Sequence, residues 1–328
     1  MISDQAWRDA VALVVKAKRI AMACHVNPDG DALGSMLAVG LAARTQGVEV
    51  QASFAEPAEV PQGLRFLPGL DLIVPPDDLD PEPDLFLAFD TGSLDRLGAL
   101  AKKATAAKSC IVLDHHATND GFASVDLLDP DAAATTVVAR QLLARVGWPL
   151  DTDIATCLYV GLVTDTGRFQ YSNTSPEVHE LAAELLSLGV KQDRISQRIY
   201  ETRPLAALRV DAKALSRLKV VPQANLVWTW IGQEDIAEAS AGEDELDGLI
   251  DTIRVVDGID VALLLRERAD GRWKISMRSR GDTDVGSVAA SFGGGGHRLA
   301  AGATAPAEFT EPGALARAVI ERLPGRKD

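Results

Sequence analysis

Short uninterrupted apolar runs alternate with longer stretches of helical periodicity through the first two-thirds of the chain. An opening segment puts Trp7, Val11, Val14 and Val15 on one side at helical spacing, and "RIAMAC" follows as a run suited to a buried strand. "DALGSMLAVGLAARTQG" then spaces Leu33, Met36, Leu37, Gly40 and Leu41 as a helix that stops at Gly47. "VEVQASF", "DLFLAFD" and "CIVLD" read as further strands, with the helix-like "SLDRLGALAKKATAAK" between the last two. Such alternation predicts an α/β domain with a parallel, doubly wound sheet and right-handed crossovers. Four mainly helical segments follow, "AATTVVARQLLARVG", "DIATCLYVGLVTD", "SPEVHELAAELLSLGV" and "DRISQRIYETRP"; Ser175 is the expected cap of the third, with Pro176 at its first helical position.

Near Pro204 the rhythm changes. A helix is expected there, then "LVWTWIG" as strand, a helix across "EDELDGLIDTIRVV", and "DVALLLRER" and "WKISMRSR" as strands joined around Ala269-Asp270-Gly271, an Asp-Gly hairpin signal. "DVGSVAASF" reads as a last helix running into "GGGGHRLAAG". Hairpins in place of strict alternation predict a smaller α+β domain. The expected division is 1–190 for the first domain, 191–208 for a linker and 209–328 for the second.

Composition narrows the partners. The balance of 33 basic against 47 acidic residues gives −14, which opposes non-specific binding to long nucleic acid but leaves room for a short anion held by local cations and metal ions. Cys24, Cys110 and Cys157 form no CxxC pair and read as reduced thiols of a cytoplasmic protein. No signal pattern opens the chain, and no uncharged apolar stretch approaches the roughly 20 residues of a membrane span. No membrane association is expected.

The candidate chemistry lies where the strands end. "HVNPDGD" follows the first strand and carries His25, Asp29 and Asp31; Asp90 ends "DLFLAFD"; Asp114, His115 and His116 end "CIVLDHH". In an open parallel sheet, ligand sites form beyond the carboxyl ends of strands, so all three clusters arrive at one edge. Asp165, closing a predicted helix in "LVTDTGRF", is free to join them. A lone His is usually a satisfied core or surface residue and a lone Asp after a strand usually a cap, so the weight falls on the combination. Carboxylates and imidazoles without thiolates suit Mn²⁺, Mg²⁺ or Fe²⁺ better than structural zinc. His25, Asp29, Asp31, Asp90, His115 and Asp165 are too many for one ion with an open position, and suit a pair about 3.5–4 Å apart that clamps attacking and leaving oxygens. A Cys24–His25 nucleophile pair is the weaker rival, because neighbours on a strand point to opposite faces. In the second domain, Lys274, Ser276, Arg278 and Arg280 share one strand face. Gly294, Gly295, Gly296 and His297 offer backbone N–H groups and a ring, so Arg278, Arg280 and the glycine segment are candidate substrate-binding residues for a phosphate or base. A solvated basic face beside a mobile loop is the plainer alternative.

These strings resemble the DHH phosphoesterase superfamily: "HVNPDGDALGS" its first motif, "FDT" its second, "LDHH" the Asp-His-His signature, "VGLVTDTGRFQYSNT" its fourth. "GGGGHRLAAG" resembles the glycine-rich signature of the DHH-associated domain (DHHA1). The two-domain layout is most similar to the NrnA-like group of bifunctional oligoribonucleases (nanoRNases) and 3′-phosphoadenosine 5′-phosphate (pAp) phosphatases. The resemblance implies an exonuclease-like hydrolase with two divalent ions, most readily Mn²⁺, acting on short RNA oligonucleotides, pAp and pApA-type dinucleotides, with a homodimer as a further expectation. It places His25 and Asp29 on one ion, Asp31, His115 and Asp165 on the other, and Asp90 between them. It gives His116 a catalytic contact with the scissile phosphate and Asp114 the orientation of its histidine neighbours. Gln170 departs from the basic residue of many relatives. Rivals are an inorganic pyrophosphatase or polyphosphatase, a cyclic di-AMP phosphodiesterase, and an inactive nucleotide-binding module.

Overall fold

The structure, a computed structural model, describes residues 1–119, 121–242, 244–246 and 248–323, the side chains of Asp244 and His297 excepted. The chain divides into two compact units, Met1–Thr202 and Arg203–Asp328. The boundary falls inside the stretch expected as linker, which is itself helical for much of its length.

In the first unit, helices α1 (Asp4–Lys16), α2 (Gly30–Thr45), α3 (Ala101–Ala106), α4 (Thr135–Val146), α5 (Thr152–Asp165), α6 (Pro176–Ser187) and α7 (Gln192–Tyr200) surround a sheet. Its strands are β1 (Arg19–Cys24), β2 (Glu49–Ser53), β3 (Leu85–Phe89), β4 (Cys110–Asp114) and β5 (Val125–Leu128), all parallel, in the order β2-β1-β3-β4-β5. The order reverses between β1 and β3, so the carboxyl ends of these two strands flank the crevice that such a reversal opens. Both sheet faces are covered, which explains why β3 and β4 are apolar without alternation. Met22, Leu87 and Leu113 face a core built with α2, α4 and α5, while Ala21, Phe86 and Val112 face Leu97 and Leu100.

Helix α2 is buried on all sides from Gly30 to Ala43. A helix in that position carries no polar stripe, and its glycines admit α5: a Cβ at Gly34 would lie 2.4 Å from the Cys157 carbonyl oxygen. The long helix expected after β3 is instead a run of 3-10 turns, Leu94–Leu100, followed by the short α3. Gly98 breaks it with φ 56°, where a Cβ would meet that of Ala55 at 2.7 Å. Strand β5 has only four residues at the sheet edge and left no pattern to read.

The second unit carries β6 (Lys219–Val221), β7 (Leu226–Ile231), β8 (Val261–Glu267), β9 (Trp273–Ser279), β10 (Gly295–His297) and β11 (Ala300–Thr304) in the order β10-β11-β9-β8-β7-β6. The β8–β9 hairpin turns at Gly271, φ 77°, as the Asp-Gly signal predicts. β7 and β8 are parallel, joined through α9 (Gln233–Ala239) and α10 (Leu249–Ile253), so this mixed sheet contains a crossover besides its hairpins. Part of the helix expected across 243–256 falls on Glu243 and Asp247, outside the described residues. α10 and α8 (Leu205–Ser216) pack on one face of the sheet, against Val227 and Leu264. α11 (Val285–Ser291) and α12 (Pro312–Ile320) pack on the other, against Leu263 and Met277.

Candidate metal centre

Three short loops carry the candidate ligands to the reversal point. Asp29 caps α2: its Oδ1 accepts from the N–H groups of Asp31 and Ala32 at 3.0 Å, which leaves Oδ2 3.8 Å from His25 Nε2. His25 Nδ1 donates to the Val26 carbonyl at 2.8 Å, and His115 Nδ1 to that of Ala132 at 3.2 Å, so both rings present Nε2 to the centre. Asp90 stands just past β3 with φ 51°, a left-handed conformation that costs a non-glycine residue free energy and marks a constrained position. Its Oδ2 lies 3.5 Å from His25 Nε2 and its Oδ1 3.6 Å from His115 Nε2. Asp165, the last residue of α5, reaches His115 Nε2 at 3.2 Å.

The donor atoms fall into sets no wider than 4.8 Å: His25, Asp29 and Asp90; Asp31, His115 and Asp165; and Asp90, His115 and His116. Two sets of one imidazole and two carboxylates, with the two oxygens of Asp90 turned toward opposite histidines, fit two divalent cations that share a carboxylate. All six residues expected as ligands are therefore brought together.

The charge balance explains why cations belong there. Burial, with Asp90, Asp165 and Asp29 nearby, pushes the Asp31 carboxyl well above its ordinary range. Burial likewise raises Asp165 to about 7, with His115 pulling it down and Asp90 pushing it up. Burial would lower His25, but the carboxylates of Asp29 and Asp90 outweigh it and raise the ring to about 10. So much negative charge in one place is accommodated only by protons or metal.

Other residues support the centre without a signal in the sequence. The N-terminus of α4 donates to Asp31, Thr135 N–H to Oδ2 at 2.5 Å and Thr136 N–H to Oδ1 at 2.9 Å, while Thr135 Oγ1 donates to Asp90 Oδ1 at 2.9 Å. Asp114, fully buried, accepts from His116 Nδ1 at 2.7 Å and Asn119 Nδ2 at 2.7 Å. Burial alone would raise Asp114, but these bonds hold it below its ordinary range, and its charge in turn raises His116. Cys24 has no nucleophilic part: burial and the neighbouring carboxylates keep it a thiol. His179, in α6, has its ring centroid 5.2 Å from that of Phe169.

The pattern of the DHH family, N-terminal domain, matches residues 19–162, and that of the DHHA1 domain residues 226–322. The bifunctional oligoribonuclease and PAP phosphatase NrnA of Thermus thermophilus is 36% identical over 296 residues, 90% of this chain and 87% of that protein. The chain belongs to the DHH phosphoesterase family. NrnA of Bacillus subtilis is 26% identical over 85% of this chain and 87% of its own length. A solved exopolyphosphatase-related protein from Bacteroides fragilis superposes with a TM-score of 0.90 at 26% identity, covering 98% of this chain and 97% of that one. The DHH domain is thus a hydrolase domain with an aspartate–histidine centre for divalent metal ions.

In the DHHA1 domain, strand alternation buries Trp273, Ile275 and Met277 and leaves Lys274, Ser276 and Arg278 at least partly exposed. Arg280 lies beyond β9, in a turn gathered by Asp260, which accepts from Ser279 Oγ, the N–H groups of Arg280 and Gly281, and Thr283 Oγ1. The glycine run has more structural work than its sequence implied. Gly293 ends α11 with φ 76°, and a Cβ at Gly294 or Gly296 would strike the β11 backbone at 2.2 or 2.6 Å. A Cβ at Gly295, which pairs with Gly302 across β10 and β11, would meet nothing within 4 Å. The side chain of His297 lies outside the described residues.

Proposed function

We propose that the chain hydrolyses very short oligoribonucleotides, pApA-type dinucleotides included, to 5′-mononucleotides, and pAp to AMP, with two divalent ions, Mn²⁺ foremost. Each cleavage adds water across a P–O ester bond: an internucleotide diester yields a 5′-phosphate monoester and a 3′-hydroxyl, and pAp yields AMP, with its 3′-hydroxyl freed, and inorganic phosphate. The observation that carries the reading is the pair of Asp/His sets meeting at Asp90, in a chain with 36% identity to a curated oligoribonuclease and pAp phosphatase. His25, Asp29, Asp31, Asp90, His115 and Asp165 would hold the ions, which when bound neutralise phosphate charge and acidify the attacking water. His116, which Asp114 orients through Nδ1, would contact the phosphate and protonate the leaving oxygen. In the DHHA1 domain, Arg278, Arg280, His297 and the backbone of Gly294, Gly295 and Gly296 would bind a phosphate or base of the substrate. The net charge of −14 supports a short substrate over a long one, and no helix among the described residues is long and apolar enough to cross a membrane.

The test is digestion of labelled RNAs from two to about ten nucleotides, alongside pAp, in Mn²⁺. Rates should fall steeply with length, Asp90→Ala should abolish turnover, and Arg280→Ala should raise KM while sparing metal content. The exopolyphosphatase-related neighbour favours a second reading, hydrolysis of phosphoanhydrides. Pyrophosphate or polyphosphate turned over orders of magnitude faster than a dinucleotide would select it.

A further inference from the structure

A second cavity lies in the first unit, away from the metal centre. It has a volume of about 630 Å³, within the size range of small-molecule sites, and all its lining residues precede Arg203. One wall is α7 and its cap. Lys191, Arg194 and Arg198 recur there at helical spacing, so three cations share one face of a helix in a chain whose net charge is −14. Arg194 makes only a loose, solvent-exposed contact with Asp193 at 3.8 Å, and Lys191 and Arg198 form no ion pair among the described residues.

The part of the lining from α5 has different chemistry. Thr152 and Thr156 stand one turn apart at the start of α5. Their hydroxyls already donate, Thr152 Oγ1 to the Leu188 carbonyl at 2.8 Å and Thr156 Oγ1 to the Thr152 carbonyl at 2.7 Å. What they offer a ligand is therefore lone pairs, which suit a hydroxyl or amine donor. Buried Ile195 and half-buried Phe66 complete the lining with apolar surface. Cations, acceptors and an apolar part in one lining match a molecule with a phosphate, a sugar hydroxyl and a base. Inorganic phosphate would leave the acceptors and the apolar surface unused. Along α5, at about 1.5 Å per residue, Thr156 stands some 14 Å and Thr152 some 20 Å from Asp165, which closes the helix.

We propose that this cavity is a second binding site, for a nucleoside monophosphate, with Lys191, Arg194 and Arg198 on the phosphate and Thr152 and Thr156 toward the sugar or base. The inference deepens the catalytic reading, since mononucleotides are its product class, and makes the site a place where product is sensed apart from the centre that forms it.

Hydrogen exchange on the full-length, Mn²⁺-loaded protein tests it, with AMP, adenosine and inorganic phosphate as separate probes. AMP should protect 189–202 and the first turn of α5, and adenosine and phosphate at matched concentration should not. The double variant Arg194→Glu/Arg198→Glu, both exposed positions outside the metal centre, should need at least about tenfold more AMP for the same protection, a loss of about 1.4 kcal/mol. Lys191→Gln, a milder change, should shift it in the same direction. No protection of 189–202 by AMP, undiminished protection in the double variant, or equal protection by phosphate would each overturn the proposal. Hydrolysis of pApA is followed on the same samples. Protection without turnover supports this site and counts against the catalytic reading alone.

Discussion

Single residues at the centre serve two masters. Thr135 donates its N–H to Asp31 and its hydroxyl to Asp90, so one side chain and its backbone orient a carboxylate from each set. Thr135→Val keeps the shape and the backbone bond but frees Asp90 to turn. Metal affinity should fall about 10- to 100-fold, as for other residues that orient ligands, with the circular dichroism spectrum unchanged. Metal content after dialysis against graded chelator measures it; wild-type affinity would show that Asp90 needs no such partner. Asp31 and Thr135 are 104 positions apart, and "AATTVV" reads as nothing more than a helix start. The six candidate ligands were legible because they fall just past strand ends, at the start of α2 or at the end of α5, most of them in strings dense with acids and histidines. Their supports were not, because a threonine or asparagine within hydrogen-bonding distance is a fact of the fold with no local spacing. The glycine run shows the opposite error. Read as a phosphate cradle, it is first a set of positions where no Cβ fits.

At the scale of elements, the crossing of α2 and α5 sets the geometry. Asp31 lies in the first turn of α2 and Asp165 ends α5, so the distance between them depends on how closely the two helices pack. Gly34→Ala would place a methyl 2.4 Å from the Cys157 carbonyl, a backbone atom that cannot swing away. It should cost about 1–3 kcal/mol in denaturant unfolding and lower metal affinity together, since separating the helices separates the ligands. Unchanged stability would mean that the crossing has slack. Periodicity disclosed α2 as a helix but not as one buried all round, because an apolar stripe and an apolar cylinder differ only in what surrounds them. β10 and β11 escaped the sequence reading for a related reason. Glycine and alanine carry no strand propensity, and these strands exist because β9 supplies an edge on which β11 pairs.

For the molecule as a whole, metal, protons and folding are linked. The folded pKa values of Asp165, about 7 against 3.8, and His25, about 10 against 6.5, are both raised, so the metal-free folded state binds more protons than the unfolded chain. Each contribution is complete below the unfolded value and lost as pH rises through the folded one. Asp29 and Asp114 have lowered values, and their contribution is already complete near neutrality. Between about pH 6 and about pH 9 the chelated protein should therefore lose thermal stability. Divalent ions need deprotonated ligands, so the stabilisation on adding Mn²⁺ should grow over the same range. Thermal scans with and without chelator at the two ends of that window check both slopes. A metal-free Tm that climbs with pH would show that the cluster does not retain protons as described.

Tyr200, in the last turn of α7, donates its hydroxyl to the Val163 carbonyl at 3.3 Å and carries the Arg168 guanidinium 4.3 Å above its ring. Between these two attachment points lies Asp165, in a stretch that continues through three left-handed residues, Gly167, Arg168 and Phe169. Anyone trimming the protein to its hydrolase half must therefore cut after Tyr200. A fragment ending at 190 would retain every candidate ligand in its sequence, yet discard the brace that fixes the last of them.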